Sequence, residues 1–521
     1  VQHFERTGFG RPGVRGDWLT VDGERFFVVG IGYDAGCRPG QLPWQRTFDR
    51  ELLSHDFRRI REAGFNTLRV WGPLKDEELA LAREFGLWVI QGLWFDPKAD
   101  FNDPGFRSET YALVEREVRR MAKFDNILYY LLLNEPHGDA AQRVGVAGMH
   151  DFYAGLLEHA RRAAPGALFS YANCVFTDYL SWDGWDVASY NVYPYSPAVI
   201  DKSLGYAAYL KWLKAAYAGE MPLVITEFGL SVSPSGDGRG YGGNSLEQQR
   251  DGVLQMWEDI IAAGCSGGCA FMWIDGWWKH GNEHAHDDHA EEWYGLLSAD
   301  EDAQGEPRPV YYALKEYNRV IRLEPRPLAR VEGDGVAVEV WVTDETVTHV
   351  EARRIPGGNW RRLTRRSYAL WAGELDFAGC DEGVYTVETR GVTGRGDEVS
   401  VKRVSVVVQP DTAWRGEQIR VSFEGLSHEL WRKDVPYQPL RIFVSDGNGR
   451  PLAGQEVRVA TYFHPWWEEF DGLAQTDEHG IASIACPLPA GAGMLSVAAA
   501  VSNRVTGKIS GDYRHVMLWL E

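Results

Sequence analysis

Cysteine is scarce in this sequence: six among 521 residues, Cys37, Cys174, Cys265, Cys269, Cys380 and Cys486. That density excludes a disulfide scaffold, and the C-x-x-x-C of Cys265 and Cys269 has no second pair to complete a zinc site. The cysteines read as small buried hydrophobes. Long hydrophobic runs are also missing. No apolar stretch approaches the roughly 20 residues that cross a bilayer, so membrane insertion is not expected. Basic residues are outnumbered, 54 Lys and Arg against 74 Asp and Glu, for a net charge of −20. Such an excess of acid repels phosphate backbones and argues against a nucleic-acid partner. There is no low-complexity tract and no period-length repeat. Aromatic side chains are plentiful, 13% of the chain with 21 Trp. Flat apolar faces with a polar handle stack on sugar rings, and they also fill large cores.

From about Leu19 to Ile321, continuous apolar runs alternate with amphipathic segments. The runs Phe26–Gly32, Phe65–Trp71, Leu87–Gly92, Ile127–Leu133, Ala167–Tyr171, Val187–Val192, Leu223–Thr226 and Cys269–Trp273 read as strands buried on both faces. Helices are expected at about 48–63, Leu74–Phe85, Ser108–Phe124, Met149–Ala163, Tyr206–Tyr217, Ser245–Ala263 and Pro309–Ile321, with Gly64 and Gly86 as stops. Eight such strands in about 300 residues predict an α/β fold, a (β/α)8 TIM barrel over residues 1–325. Past the two prolines of Glu324–Pro327 the helical period disappears. Short alternating strands and turns such as Pro356-Gly357-Gly358 and Asp446-Gly447-Asn448-Gly449 predict two C-terminal β-sandwich modules, 326–408 and 409–521. The last of these looks like bacterial immunoglobulin-like surface modules, which points to a secreted or periplasmic setting.

In a TIM barrel the active face is built at the C-terminal ends of the strands. The fourth strand runs into Asn134-Glu135-Pro136 and the seventh into Glu227-Phe228-Gly229. A carboxylate at a buried strand end is costly unless it has partners or a task. Two on one rim form the pair that glycoside hydrolysis requires. One acid protonates the leaving oxygen, and one carboxylate attacks or activates water. The plain alternative is a pair of ion-paired rim residues.

These motifs resemble those of the clan A retaining glycoside hydrolases, with family two and family five closest. The resemblance rests on Asn134-Glu135-Pro136, on Ile225-Thr226-Glu227-Phe228-Gly229, on Gly64–Trp71, on Asn191-Val192-Tyr193 and on Trp273, in that strand order. Family-two enzymes carry β-domains before the barrel, whereas here the extra modules follow it. The resemblance implies cleavage of a β-linked carbohydrate through a covalent glycosyl-enzyme, without a cofactor. It implies Glu135 as general acid/base and Glu227 as nucleophile. Asn134 would bond the sugar 2-hydroxyl, Arg69 and Tyr193 would contact Glu227, and Trp273 would form the stacking floor. A transglycosylase on the same scaffold stays open, as does a non-catalytic or metal-assisted carbohydrate-binding protein.

Trp71, Trp94, Trp277 and Trp278 either line outer sugar subsites or close the barrel top. The run His280–His289 is rich in ligand-type side chains, but its spacing fits no zinc pattern and the proposed chemistry needs no metal. Residues 238–243 satisfy G-x-G-x-x-G, yet they lie far from a first strand-to-helix turn and read as a lid. Residues 264–268 satisfy G-x-S-x-G, but they follow a helix and precede a strand, the reverse of a nucleophile elbow.

Overall fold

Short strands with bulky apolar residues on both faces survive only when covered on both sides, and in the computed structural model they close on themselves. The structure describes residues 9–178, 180–193, 205–236, 238, 240–319, 322–323, 335–342, 346–366, 370–381, 383–408, 419–426, 429–432, 437–464, 468–488, 493–502 and 509–520. A three-stranded antiparallel sheet, β1 (Pro12–Arg15), β2 (Trp18–Val21) and β3 (Glu24–Arg25), precedes the barrel. The barrel strands are β4 (Val28–Gly32), β5 (Thr67–Val70), β6 (Trp88–Gly92), β7 (Ile127–Asn134), β8 (Phe169–Cys174), β9 (Ala188–Asn191), β10 (Leu223–Phe228) and β11 (Gly267–Ala270). All pair in parallel, and β11 returns to β4 to close the ring. Leu19 and Val21 join Val28, Trp88, Leu128, Leu131, Val224 and Cys269 in a cluster inside the barrel, so the first hairpin plugs its base.

The helices follow the expected alternation. Helix α1 (Arg50–Glu62) starts where the Asp49 carboxylate accepts from the Leu52 amide at 3.0 Å, and it buries Leu53, Phe57 and Ile60. Gly64, at φ 81°, ends that turn in the left-handed region that a side chain disfavours. Helices α2 (Asp76–Glu84), α3 (Pro104–Met121), α4 (Gly138–Ala163), α5 (Gly205–Leu213), α6 (Leu246–Ala262) and α7 (Pro309–Arg319) complete the described set. Two begin earlier than the periodicity predicts. Asp103 caps α3 ahead of Pro104, and α4 gains a first segment that breaks at Gly145.

The last strand departs from expectation. It covers Gly267–Ala270 rather than Cys269–Trp273, because β11 meets β4 so closely that a Cβ on Gly267 would lie 2.2 Å from the Val28 carbonyl oxygen. Small residues make that contact, and the bulky residues from Phe271 onward lie beyond it.

The C-terminal part holds sheets packed in pairs, antiparallel except where the edge strand Glu429–Arg432 runs parallel to Ile509–Leu520. Two four-stranded sheets, built from strands between Arg322 and Val408, enclose Val338, Val340, Val350, Leu363, Trp371 and Val387. A three-stranded and a five-stranded sheet, from Ile419 to Leu520, enclose Leu440, Ile442, Val457, Val459, Val497 and Val516. Along the five-stranded sheet the alternate residues Ala460, Ala498 and Ala500 belong instead to the barrel's large outer core cluster. Side chains alternate between the faces of a strand, so this sheet packs one face inward and its alanine face on the helical layer. The stretches 324–327 and 409–410, on which the module boundaries rest, lie outside the described residues.

Candidate active site

The C-terminal rim of the barrel gathers a polar cluster in which every member comes from a strand end. Arg69 lies on β5, Asn134 closes β7, Asn191 closes β9 and Glu227 lies on β10. Glu135 follows β7 with φ 45°, a backbone conformation rare for a residue with a side chain. Such outliers persist where the surroundings over-determine them, commonly at functional sites.

Glu227 is 6% exposed and heavily bonded. Its Oε1 lies 2.9 Å from Arg69 Nη2 and accepts from Trp71 Nε1 at 2.9 Å, while Oε2 accepts from Tyr193 Oη at 2.7 Å. Burial raises its pKa, opposed first by the Arg69 charge and then by the Tyr193 hydrogen bond. Arg69 is itself buried. It donates to Asn134 Oδ1 and lies over the Trp71 ring at 4.0 Å.

Glu135 has a different environment. Its Oε1 accepts from Asn191 Nδ2 at 2.8 Å. The Asn191 amide is oriented by Thr226, whose hydroxyl donates to Asn191 Oδ1 at 2.8 Å. Burial, and next the negative charge of Glu227, push the Glu135 carboxyl up to about 7. The two glutamates are thus separated in character. One is surrounded by three donors, and the other has its carboxyl pushed up toward neutrality.

The structure brings Arg69, Asn134, Glu135, Tyr193 and Glu227 together. It does not bring Trp273 with them. Trp273 is fully buried in the outer core cluster, with its ring 6.0 Å from that of Tyr311 on α7 and 5.7 Å from the Arg59 guanidinium of α1. The ring at the site is Phe271, two residues earlier, which clusters with Trp71, Tyr193, Tyr294 and Met272. Trp71 lies at the pair itself as a donor to Glu227, nearer than an outer subsite. Trp94 is 53% exposed, as is Trp44 at 68%, and Trp44 meets Trp278 edge-on at 5.7 Å.

Sequence reasoning also missed several charged neighbours. Asp34, two residues beyond β4, accepts from Trp278 Nε1 at 3.2 Å, and burial raises its pKa. Lys279 and Glu291 reach the site from short 3-10 helices, Trp277–His280 and Ala290–Glu292. Lys279 Nζ lies 4.6 Å from the Phe271 ring centroid and 4.0 Å from Glu291 Oε2. No periodic pattern marks residues on irregular loops.

The histidines at positions 280 and 286 are paired with carboxylates, one inside the run and one beyond it. His280 Nδ1 lies 3.0 Å from Asp287 Oδ2 and His286 Nδ1 lies 2.5 Å from Asp300 Oδ1. Asp275, His286 and Asp300 bring possible metal-ligand atoms within 4.8 Å of one another. Asp275, however, is held by Arg308 at 2.6 and 2.8 Å, and the His286 ring is stacked between Trp277 and Trp293. In the segment that satisfies G-x-G-x-x-G, residue 239 lies outside the described residues. The amide of Ser231 is bonded to the Gly240 carbonyl at 2.8 Å, which ties that loop back to the end of β10.

No family model and no curated protein matches the chain. Among solved structures it is similar to the β-glucuronidase 3 of Bacteroides uniformis, 14% identical, covering 97% of this chain and 65% of that one at a TM-score of 0.46. A β-glucuronidase from Ruminococcus gnavus is 17% identical over 60% of this chain and 53% of that one, with a TM-score of 0.49. A β-galacturonidase from Eisenbergiella tayi is 19% identical over 59% and 54%, with a TM-score of 0.48. The chain therefore spans between about half and two thirds of the length of these solved chains.

Proposed function

We propose that this chain is a retaining β-glycoside hydrolase of the clan A kind, acting on a β-linked carbohydrate by double displacement. The observation that carries the reading is the asymmetry of the two rim glutamates. Glu227, with donors on both oxygens, is the nucleophile, and Glu135, with its carboxyl pushed up to about 7, is the acid. In the first step Glu227 attacks the anomeric carbon while Glu135 protonates the departing oxygen. Once Glu227 is esterified its charge is gone, the repulsion on Glu135 falls, and Glu135 takes a proton from the water that releases the sugar. Asn134 accepts from Arg69 through Oδ1, which leaves its NH2 end for a sugar oxygen. Phe271 takes the place assigned to Trp273 as the apolar floor.

The modules divide near 325 and 408, supported by separate apolar cores in the two C-terminal sandwiches. We read those sandwiches as immunoglobulin-like modules of a secreted or periplasmic enzyme.

Truncation with azide rescue tests the roles. Glu227→Ala removes the atom that forms the intermediate, so azide displaces the leaving group directly and gives an α-glycosyl azide. Glu135→Ala still forms the intermediate from an activated aryl glycoside, and azide then gives the β-glycosyl azide. Opposite anomers would exchange the roles. A loss of less than about tenfold in both variants, about 1.4 kcal/mol, would remove the pair from catalysis.

A further inference from the structure

Tyr193 donates to Glu227 Oε2 at 2.7 Å from a position two residues past the end of β9, outside the strand ladder. A hydrogen bond weakens steeply as its angle closes, so the bond depends on what keeps the Tyr193 ring from turning. On the glycosidase reading above, we propose that Tyr294 is a positioning residue: its ring, lodged between Tyr193 and the end of β10, keeps the Tyr193 hydroxyl on the nucleophile.

Tyr294 is buried, and its ring lies edge-on to two others. The centroids are 5.6 Å from Tyr193 at an interplanar angle of 64° and 5.1 Å from Phe271 at 74°. Such edge-to-face contacts set the angle between rings as well as their separation. On its far side the ring meets Gly229, which closes the run Glu227-Phe228-Gly229. A Cβ there would lie 3.3 Å from Tyr294 Cδ1 and 2.4 Å from the Phe271 carbonyl oxygen, so the missing side chain is what admits the ring.

The backbone of Tyr294 is fixed in turn. The Met272 amide donates to the Tyr294 carbonyl at 3.2 Å, and the Leu296 amide to the Met272 carbonyl at 2.8 Å. The next residue, Gly295, is gripped by a buried ion pair that the double displacement does not use. Asp275 accepts from Arg308 at 2.8 and 2.6 Å and from the Gly295 amide at 2.8 Å, while Arg308 Nη1 also donates to the Gly295 carbonyl at 2.8 Å. A buried pair is a weak source of stability, but it holds one geometry, here that of the segment bearing the ring. Phe271 meets both donor rings of Glu227, Trp71 at 5.4 Å and Tyr193 at 6.0 Å, whereas Tyr294 packs on the donor to Oε2.

The test is a double-mutant cycle on the full chain, read on the 4-nitrophenyl β-glycoside it cleaves best. In Tyr294→Leu the Tyr193 bond loosens and the Glu227 carboxylate loses support. The acidic limb of kcat/KM against pH therefore moves up by about 0.5 unit or more, and below that limb kcat/KM falls about threefold or more. Tyr294→Met, with a flexible chain that fills much of the ring's space, gives the same movement in a second background. Tyr294→Phe keeps the ring and leaves the limb in place. In the Tyr193→Phe background, Tyr294→Leu moves the limb no further, because the bond it guards is already gone. A carbon-13 titration of the Glu227 carboxyl reads the same shift without turnover. Equal losses at every pH, with the limb unmoved, would reduce Tyr294 to packing and overturn the proposal while the glycosidase reading stands. A limb that moves as far in the double variant as in Tyr294→Leu alone, or as far in Tyr294→Phe, also overturns it, since the effect then bypasses Tyr193 or belongs to the hydroxyl. No turnover above a Glu227→Ala blank removes the glycosidase reading, and this one with it.

Discussion

Tyr193→Phe removes one oxygen atom and tests how the nucleophile is kept ionised. Tyr193 Oη donates to Glu227 Oε2 at 2.7 Å, whereas Arg69 and Trp71 share Oε1 at 2.9 Å each. A hydrogen bond to a charged acceptor is worth about 1.5–3 kcal/mol. At 1.36 kcal/mol per pK unit, its loss raises the Glu227 pKa by about 1–2 units. Glu227 must be ionised to attack, so the acidic limb of kcat/KM against pH moves upward by that amount. The basic limb reports loss of the Glu135 proton, near the value of about 7 to which burial and Glu227 push it. It stays close to where it is, so the bell narrows from its acidic side. The two limbs belong to the coupled pair, and the sign of each movement carries the test. The assay is the pH profile of kcat/KM on an aryl glycoside, paired with a carbon-13 titration of the glutamate carboxyls. An unmoved acidic limb, or a shift confined to the basic limb, would refute the assignment of Tyr193 to Glu227.

Two further outcomes follow from the packing. Asp56 is fully buried and accepts from Arg38 at 2.8 Å on both oxygens and from Tyr33 Oη at 2.8 Å, so Asp56→Ala strands a buried guanidinium and costs about 3–5 kcal/mol in denaturant unfolding. A loss under about 1 kcal/mol would contradict that account. Phe271→Ala and Trp273→Ala separate site from scaffold. The first, facing Trp71 and Tyr193, lowers kcat/KM by more than about tenfold. The second, packed on Tyr311, costs about 3–5 kcal/mol of stability and leaves KM of the folded protein unchanged. A raised KM in the Trp273 variant would return that ring to the cleft.

The barrel was legible because its strands are near-continuous apolar runs, such as Ile127–Leu133, spaced by amphipathic helices with recognisable stops at Gly64 and Gly86. The paired glutamates were legible for a related reason, since polar residues at buried strand ends stand out against such runs. Periodicity does not mark where a doubly buried strand ends. The apolar stretch from Cys269 to Trp273 continues past β11, so its pattern points to Trp273, whereas the close contact of β11 with β4 puts Phe271 at the site. The hairpin of β1–β3 escaped notice because its strands are two to four residues long. Asp34, Lys279 and Glu291 escaped because irregular loops carry them, and the lysine–glutamate pairing is visible only after the chain has folded.

The central claim is tested most directly by following one hydrolysis by proton NMR and reading the anomeric signal of the sugar as it first appears. Double displacement through Glu227 predicts that the β-anomer appears first and only later equilibrates with the α-anomer. An α-anomer appearing first would mean a single displacement by water. That result would contradict the roles assigned to Glu135 and Glu227.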